Sequence, residues 1–331
     1  MDCSYKENWE QTAERFTAWW KREGLILDMG PVSRTAGPRE PLEDPGPRDS
    51  AEQRWTDVAW RIEKNHYDLF RTSFPADTLL RTDVNLGAGS LALLLGSEPG
   101  FEEDTVWIYP SQGAETDPDK RGSFKFDPEN PWWKIHESLL RLSVSRGAGK
   151  YCLGVSRKVA EINAVWFEVY DRIYEIIEDE DGSACYQSFN LWGPGKTAKV
   201  QCDASAMFSP AMFEQFVLPA LTEQCDWLDY SMFHLDGHQC IPHLDLLLSI
   251  DSLDAVEWTP DPQVPGGGNP RWYDMYRRIL GAGKSVQAIY VHPEEVVPLL
   301  DAVGGKGMYI RTNVRTEAKA EALARSVEPF R

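Results

Sequence analysis

The stretch Tyr230-Ser-Met-Phe-His-Leu-Asp-Gly-His-Gln-Cys240 decides how the rest of the chain is read. Residues 230–235 favour a buried strand, and Gly237 ends the run. His234, Asp236, His238 and Cys240 are thereby crowded around the strand's carboxyl end. Ligands and chemistry in α/β proteins collect just beyond the carboxyl ends of parallel strands, so a site belongs here.

Helical and strand patterns alternate on both sides of this stretch. After it come a helix over 241–248, a strand over 255–258, a helix over 271–282, a strand over 286–291, a helix over 293–302, a strand over 308–311 and a helix over 316–326. Before it come strands over 150–155 and 184–191 and helices over 159–178 and 210–228. Such alternation predicts a parallel sheet, and a closed (β/α)8 TIM barrel is favoured over an open sheet. Residues 146–331 would carry the main part of that barrel. Residues 1–145 read as an N-terminal helical and loop extension packed on it. They hold an amphipathic helix over 7–23, a proline-rich loop over 31–50, and helices over 51–73 and 130–146. The glycine turn in Asn85–Leu95 lacks the preceding strand and third glycine of a nucleotide fingerprint, so it reads as packing.

The 331 residues suffice for one large core. Lys and Arg total 34 against 52 Asp and Glu, a net charge of −18 that disfavours nucleic acid and anionic membrane surfaces. Six scattered cysteines without a C-x-x-C pair, and an N-terminus unlike a signal peptide, fit a reduced cytoplasmic compartment. No apolar run approaches the ~18 residues of a membrane helix. Most of the thirteen tryptophans should be core anchors, with a minority walling a pocket. Arg311, Trp192, Trp258 and Asn190 are the candidate substrate contacts.

From Asp203 to Trp258 the chain resembles the uroporphyrinogen decarboxylase-like superfamily, barrel enzymes that include corrinoid-linked methyltransferases and relatives of cobalamin-independent methionine synthase. The resemblance is carried by Cys202-Asp-Ala-Ser, then Ser209-Pro-Ala-Met-Phe-Glu-Gln-Phe-Val-Leu-Pro219. It continues in His234-Leu-Asp-Gly237, Asp254-Ala-Val-Glu-Trp258 and the turn Ala282-Gly-Lys284. It implies a barrel enzyme with a site built on Asp203 and His234, a zinc ion and a corrinoid protein as partner, and relatives that dimerise. Three departures narrow this. The arginine-rich R-Q-A-G-R-Y stretch of true uroporphyrinogen decarboxylases has no match, which disfavours heme synthesis. Asp236 stands where the zinc-dependent methyltransferases have a cysteine, and Arg311-Thr-Asn supplies no second thiolate. The link between the strand over 150–155 and the following helix is short for this fold.

His234 and Asp236, joined by Glu257 from a neighbouring strand, make an N/O ligand set that suits Zn2+ as a Lewis acid. His238, Cys240 and His292 are further donors. The same His234 and Asp236 serve equally as an acid–base pair without metal. Asp236 capping the next helix, and Asp203 capping the helix near Ser209, are the structural alternatives. Arg311 either binds a substrate carboxylate or pairs with Glu257 or Asp236. The expectations are therefore zinc-assisted methyl transfer on a small methylated substrate, with a corrinoid protein as carrier. Decarboxylase or lyase chemistry on a small carboxylate, or a non-catalytic partner subunit, are the alternatives.

Overall fold

The structure, a computed structural model, describes residues 4–34, 42–87, 90–110, 125–148, 152–155, 163–186 and 188–331. The short link expected after residue 155 lies outside the described residues. The chain is a mixed α/β protein with a six-stranded parallel sheet and, among the described residues, twelve α-helices. Ten strands matter for the site: β1 (Ile26–Asp28), β2 (Arg81–Asp83), β3 (Cys152–Val155), β4 (Ala184–Tyr186), β5 (Leu191–Gly193), β6 (Thr197–Val200), β7 (Tyr230–Asp236), β8 (Ala255–Thr259), β9 (Ser285–Ala288) and β10 (Met308–Arg311). The six-stranded sheet has the order β1-β10-β9-β8-β7-β6, all parallel. A second sheet has the order β2-β3-β4-β5, parallel except for the β4–β5 hairpin.

β1 lies in the segment read from sequence as helix and loop. Ile26-Leu-Asp is only three residues long, too short for a periodicity to register, yet it pairs with Tyr309–Arg311 and is fully buried. β2 likewise pairs with β3. Three further elements differ from expectation. The helix expected over 51–73 breaks at Asp57, whose carboxylate caps the second piece by accepting from Trp60 N–H at 3.0 Å. The helix over 210–228 is interrupted at Val217, because Pro219 lacks an N–H and crowds the backbone before it. The strand over 184–191 is instead a hairpin, β4 and β5, whose connecting residues Phe189 and Asn190 both adopt positive φ, 64° and 56°.

The helix Trp9–Trp20 lies against the amino-terminal ends of the strands. Its Trp19 indole donates to Gly307 O at 3.0 Å, Ser285 Oγ donates to Trp19 O at 2.6 Å, and the Trp20 ring lies tilted against Tyr230 with centroids 5.2 Å apart. Phe16 and Trp19 then meet Tyr309 edge to face, and Phe16 and Trp9 meet Trp192 in the same way. This aromatic layer fills one end of the sheet and leaves the carboxyl ends for polar groups.

Parallel strands buried on both faces usually carry apolar side chains on both. Here one face does: Phe233, Leu235, Val256, Trp258, Val286, Ala288, Met308 and Ile310 are all buried. The other face carries Lys199, His234, Glu257, Gln287 and Asp28, each nearly inaccessible to solvent. Since side chains alternate along a strand, register decides who meets. His234 pairs with Glu257, Glu257 with Gln287, Gln287 with Tyr309, and Asp28 with Arg311.

Candidate active site

The centre of this polar face is the His234–Glu257 pair. Adjacent register positions on β7 and β8 bring Nδ1 of His234 into a short contact with Glu257 Oε2. Thr259, two residues on and therefore on the same face, donates its hydroxyl to Glu257 Oε1 at 2.6 Å. Glu257 is completely buried, so its charge depends on these two partners. Carboxylate oxygens accept, so Nδ1 carries the proton in that contact. Nε2 is left to accept a proton or bind a cation.

Nε2 faces two more carboxylates. Asp236 Oδ2 lies 3.8 Å away, beyond hydrogen-bond reach, and its side chain is half exposed. Asp203 stands in the 3-10 turn that follows β6, where Gln201 Nε2 donates to both of its oxygens at 2.8 and 2.9 Å. Asp203, His234 and Asp236 each offer one ligand atom, and these lie within 4.8 Å of one another. Glu257 therefore stands behind the imidazole rather than beside Asp203 and Asp236.

The hairpin tip covers this group. The Phe189 ring packs on the His234 ring with centroids 4.6 Å apart, and the Lys199 ammonium lies 4.5 Å from the centre of the Phe189 ring. Lys199 also donates to Gln201 Oε1. Gln287 Nε2 donates to Phe189 O at 2.7 Å, and Tyr309 OH donates to Asn190 O at 2.7 Å. These two bonds from the sheet hold Phe189 and Asn190 in their left-handed conformations.

Asp236 does not cap the turn after β7. Asp261 does so, accepting from His238 N at 2.9 Å and pairing with His238 Nδ1 at 2.8 Å. These bonds hold the Asp261 carboxyl below its usual range. Ser209, not Asp203, caps the helix Pro210–Phe216, accepting from Met212 N–H at 3.3 Å. Neither aspartate therefore makes the helix cap that sequence allowed it.

Other candidates fall outside the group. Cys240 is buried against Ser205 Oγ at 3.3 Å, and burial pushes its thiol up. His292 is exposed, its N–H donating to Glu295 at 2.9 Å. Trp258 points to the apolar face, against Trp272. Trp192 belongs to the aromatic layer and accepts from the Trp20 indole at 2.8 Å. Asn190 and Arg311 do stand at the polar face, on Asp28. Sequence reading passed over Lys199, Gln201, Phe189, Thr259, Gln287 and Asp28. Lys199, Gln201, Thr259 and Gln287 carry one legible signal, a polar residue at period two inside or beside a buried strand; Phe189 and Asp28 carry none.

Compared with known proteins, the chain matches no family model and no curated sequence.

Proposed function

We propose that this protein is a metal-assisted enzyme of the uroporphyrinogen decarboxylase-like kind, transferring a methyl group on a small methylated substrate. The observation that carries the reading is the His234–Glu257 pair with two carboxylates on its free side. A metal-binding imidazole typically gives its other N–H to a carboxylate, which fixes the ring. Asp203 and Asp236 complete a set of one nitrogen and two oxygens, which fits Zn2+ with a position left open. Bonds of ~2.0–2.2 Å need ligand atoms within about 3.5 Å of each other, closer than the 4.8 Å that encloses the three atoms here, so zinc would draw the two exposed carboxylates inward.

Zinc in such a site supplies Lewis acidity toward a heteroatom of the substrate. Glu257 keeps the His234 ring aimed and its tautomer fixed. Phe189 shields the ring from water, and Gln201 holds Asp203 at the mouth. The resemblance adds a corrinoid protein as methyl carrier and a homodimer.

The two sheets are read as arcs of one closed barrel, their ten strands two in excess of the regular eight. Supporting this, Asp28 bridges to Ala76 just ahead of β2, and Tyr186 OH on β4 donates to Lys199 O on β6 at 3.3 Å. Among the described residues no helix is long and apolar enough to cross a membrane.

The test is elemental analysis with zinc titration, followed by an assay of methyl transfer from small methylated amines and thioethers to cob(I)alamin, read as methylcobalamin formed. One zinc per chain, lost in His234→Ala and in Asp203→Asn, is the expected result. A metal-free protein at saturating zinc would overturn the reading. Activity that needs no metal but follows His234 would favour a decarboxylase or lyase, because the same imidazole–carboxylate pair can move a proton unaided.

A further inference from the structure

The helix Val58–Phe70, the segment from Thr72 to Thr82 and the hairpin tip at Asn190 wall a cavity of about 270 Å3. Asp203, His234, Asp236 and Glu257 take no part in its lining. Drug-sized ligands fill ~300–1,000 Å3, so this space suits a smaller molecule. Leu69, Phe74 and Leu79 give it an apolar side, where a short hydrocarbon chain would be shielded from water.

Among the described residues that line this space, Asp68 is the one charged side chain. Lys64 donates to its Oδ1 at 2.7 Å, and Oδ2 meets no donor among the described residues. Two other wall residues, Asn190 and Thr78, hydrogen-bond Asp28, whose charge is already met by Arg311 Nε at 3.3 Å. The lining thus offers an acceptor for a cation and no cation for an anion, and a net charge of −18 acts in the same sense. Thr82 supplies a second, independent feature. The residue is 2% exposed, and its hydroxyl has no hydrogen-bond partner among the described residues. A buried hydroxyl left unpaired is costly, and a ligand hydroxyl beside it would supply the missing bond.

We infer that this cavity is a binding site for a small amino alcohol. Its ammonium donates to Asp68 Oδ2, its hydroxyl pairs with Thr82, and the hydrocarbon chain between them lies on Leu69, Phe74 and Leu79. The inference goes beyond the metal reading and does not rest on it, because the two sets of residues are separate.

The probes are 4-amino-1-butanol, 1,4-butanediol and butylamine, titrated calorimetrically into the full chain at neutral pH. The amino alcohol should bind saturably. The diol lacks the charge and should bind weaker by roughly ten- to a hundredfold, the weight of a charged hydrogen bond. Butylamine lacks the hydroxyl and should bind weaker by about three- to tenfold, the weight of a neutral one. Asp68→Asn should erase the preference over the diol, Thr82→Val should erase the preference over butylamine, and each preference should persist in the other variant. Asp68 is exposed and Thr82→Val removes an unpartnered hydroxyl, so both variants should fold. His234→Ala should keep both preferences while losing zinc, which separates failure here from failure of the metal reading. No saturable binding by the wild type, a diol or butylamine that binds as tightly as the amino alcohol, or a preference that survives the variant meant to erase it would overturn the inference.

Discussion

Two carboxylates are buried on the same face of the same sheet, and their surroundings differ in one respect. Asp28 is compensated by a guanidinium, an amide, a backbone N–H and a threonine hydroxyl. Glu257 has an imidazole and a hydroxyl. Each orients a second group, Arg311 in one case and His234 in the other. A guanidinium is permanently charged and offers only donors. An imidazole passes the influence of its carboxylate through the ring to a second nitrogen that accepts protons or metal. One device thus holds a fixed positive charge at the β1–β10 end and an imidazole with an open nitrogen at the β7–β8 end.

The comparison breaks first on stability. Asp28→Ala leaves the Asn190 amide and the Arg311 charge without their acceptor, and breaking such a pair costs about 3–5 kcal/mol. Arg311 is partly exposed, so the lower end is expected from urea unfolding. Glu257→Ala leaves the His234 Nδ1–H and the Thr259 hydroxyl without this acceptor, and about 1–3 kcal/mol is expected. A larger loss for Glu257→Ala than for Asp28→Ala would reverse the assignment of which end is structural.

Zinc affinity sharpens the same contrast. Glu257→Gln keeps the volume and a hydrogen-bond acceptor but removes the carboxylate behind His234, and a ten- to hundredfold loss of zinc affinity is typical for such a change. Asp28→Asn should leave zinc affinity unchanged. Competition with a chromogenic chelator measures both.

Acid titration adds a direction. The Asp28 pKa is lowered by folding, so its contribution to stability is complete above the unfolded carboxylate value of ~3.9 and is lost as pH falls through the folded value. Asp254 has the opposite sign. Burial raises its pKa despite the Ser231 N–H and the Lys284 charge, so it costs stability as pH rises through that value. Asp28→Asn should therefore flatten the acid limb of the unfolding free energy, and Asp254→Asn should not.

How much of this was legible in the chain follows from where the polar residues stand. His234, Asp236 and Glu257 were readable because each interrupts an apolar run that is long enough to be recognised as a strand. Asp28 was not, since Ile26-Leu-Asp is three residues long and its burial comes from pairing with β10, at the other end of the chain. Phe189 and Asn190 were read as strand because the run from Ala184 to Leu191 is rich in strand-forming residues. No glycine announces their positive φ, which is held instead by hydrogen bonds from Gln287 and Tyr309. The alternation of helices and strands was readable from Tyr230 onward, because it depends on local periodicity alone, whereas the four-residue β6 was passed over.

The smallest effect tests the facing of the sheet. Trp258 and Glu257 are neighbours in sequence, yet alternation sends the indole to the apolar face against Trp272 while the carboxylate meets His234. Among the described residues its buried indole N–H meets no partner, so Trp258→Phe removes an unsatisfied donor as it opens a small void. These terms oppose one another, and a net loss of about 1–2 kcal/mol is expected. Zinc affinity should stay within twofold of wild type, because no atom of Trp258 lies on the side that carries Asp203, His234 and Asp236. A tenfold drop with the fold intact would mean that the two faces communicate. The division between an apolar packing face and a polar reactive face would then have to be abandoned.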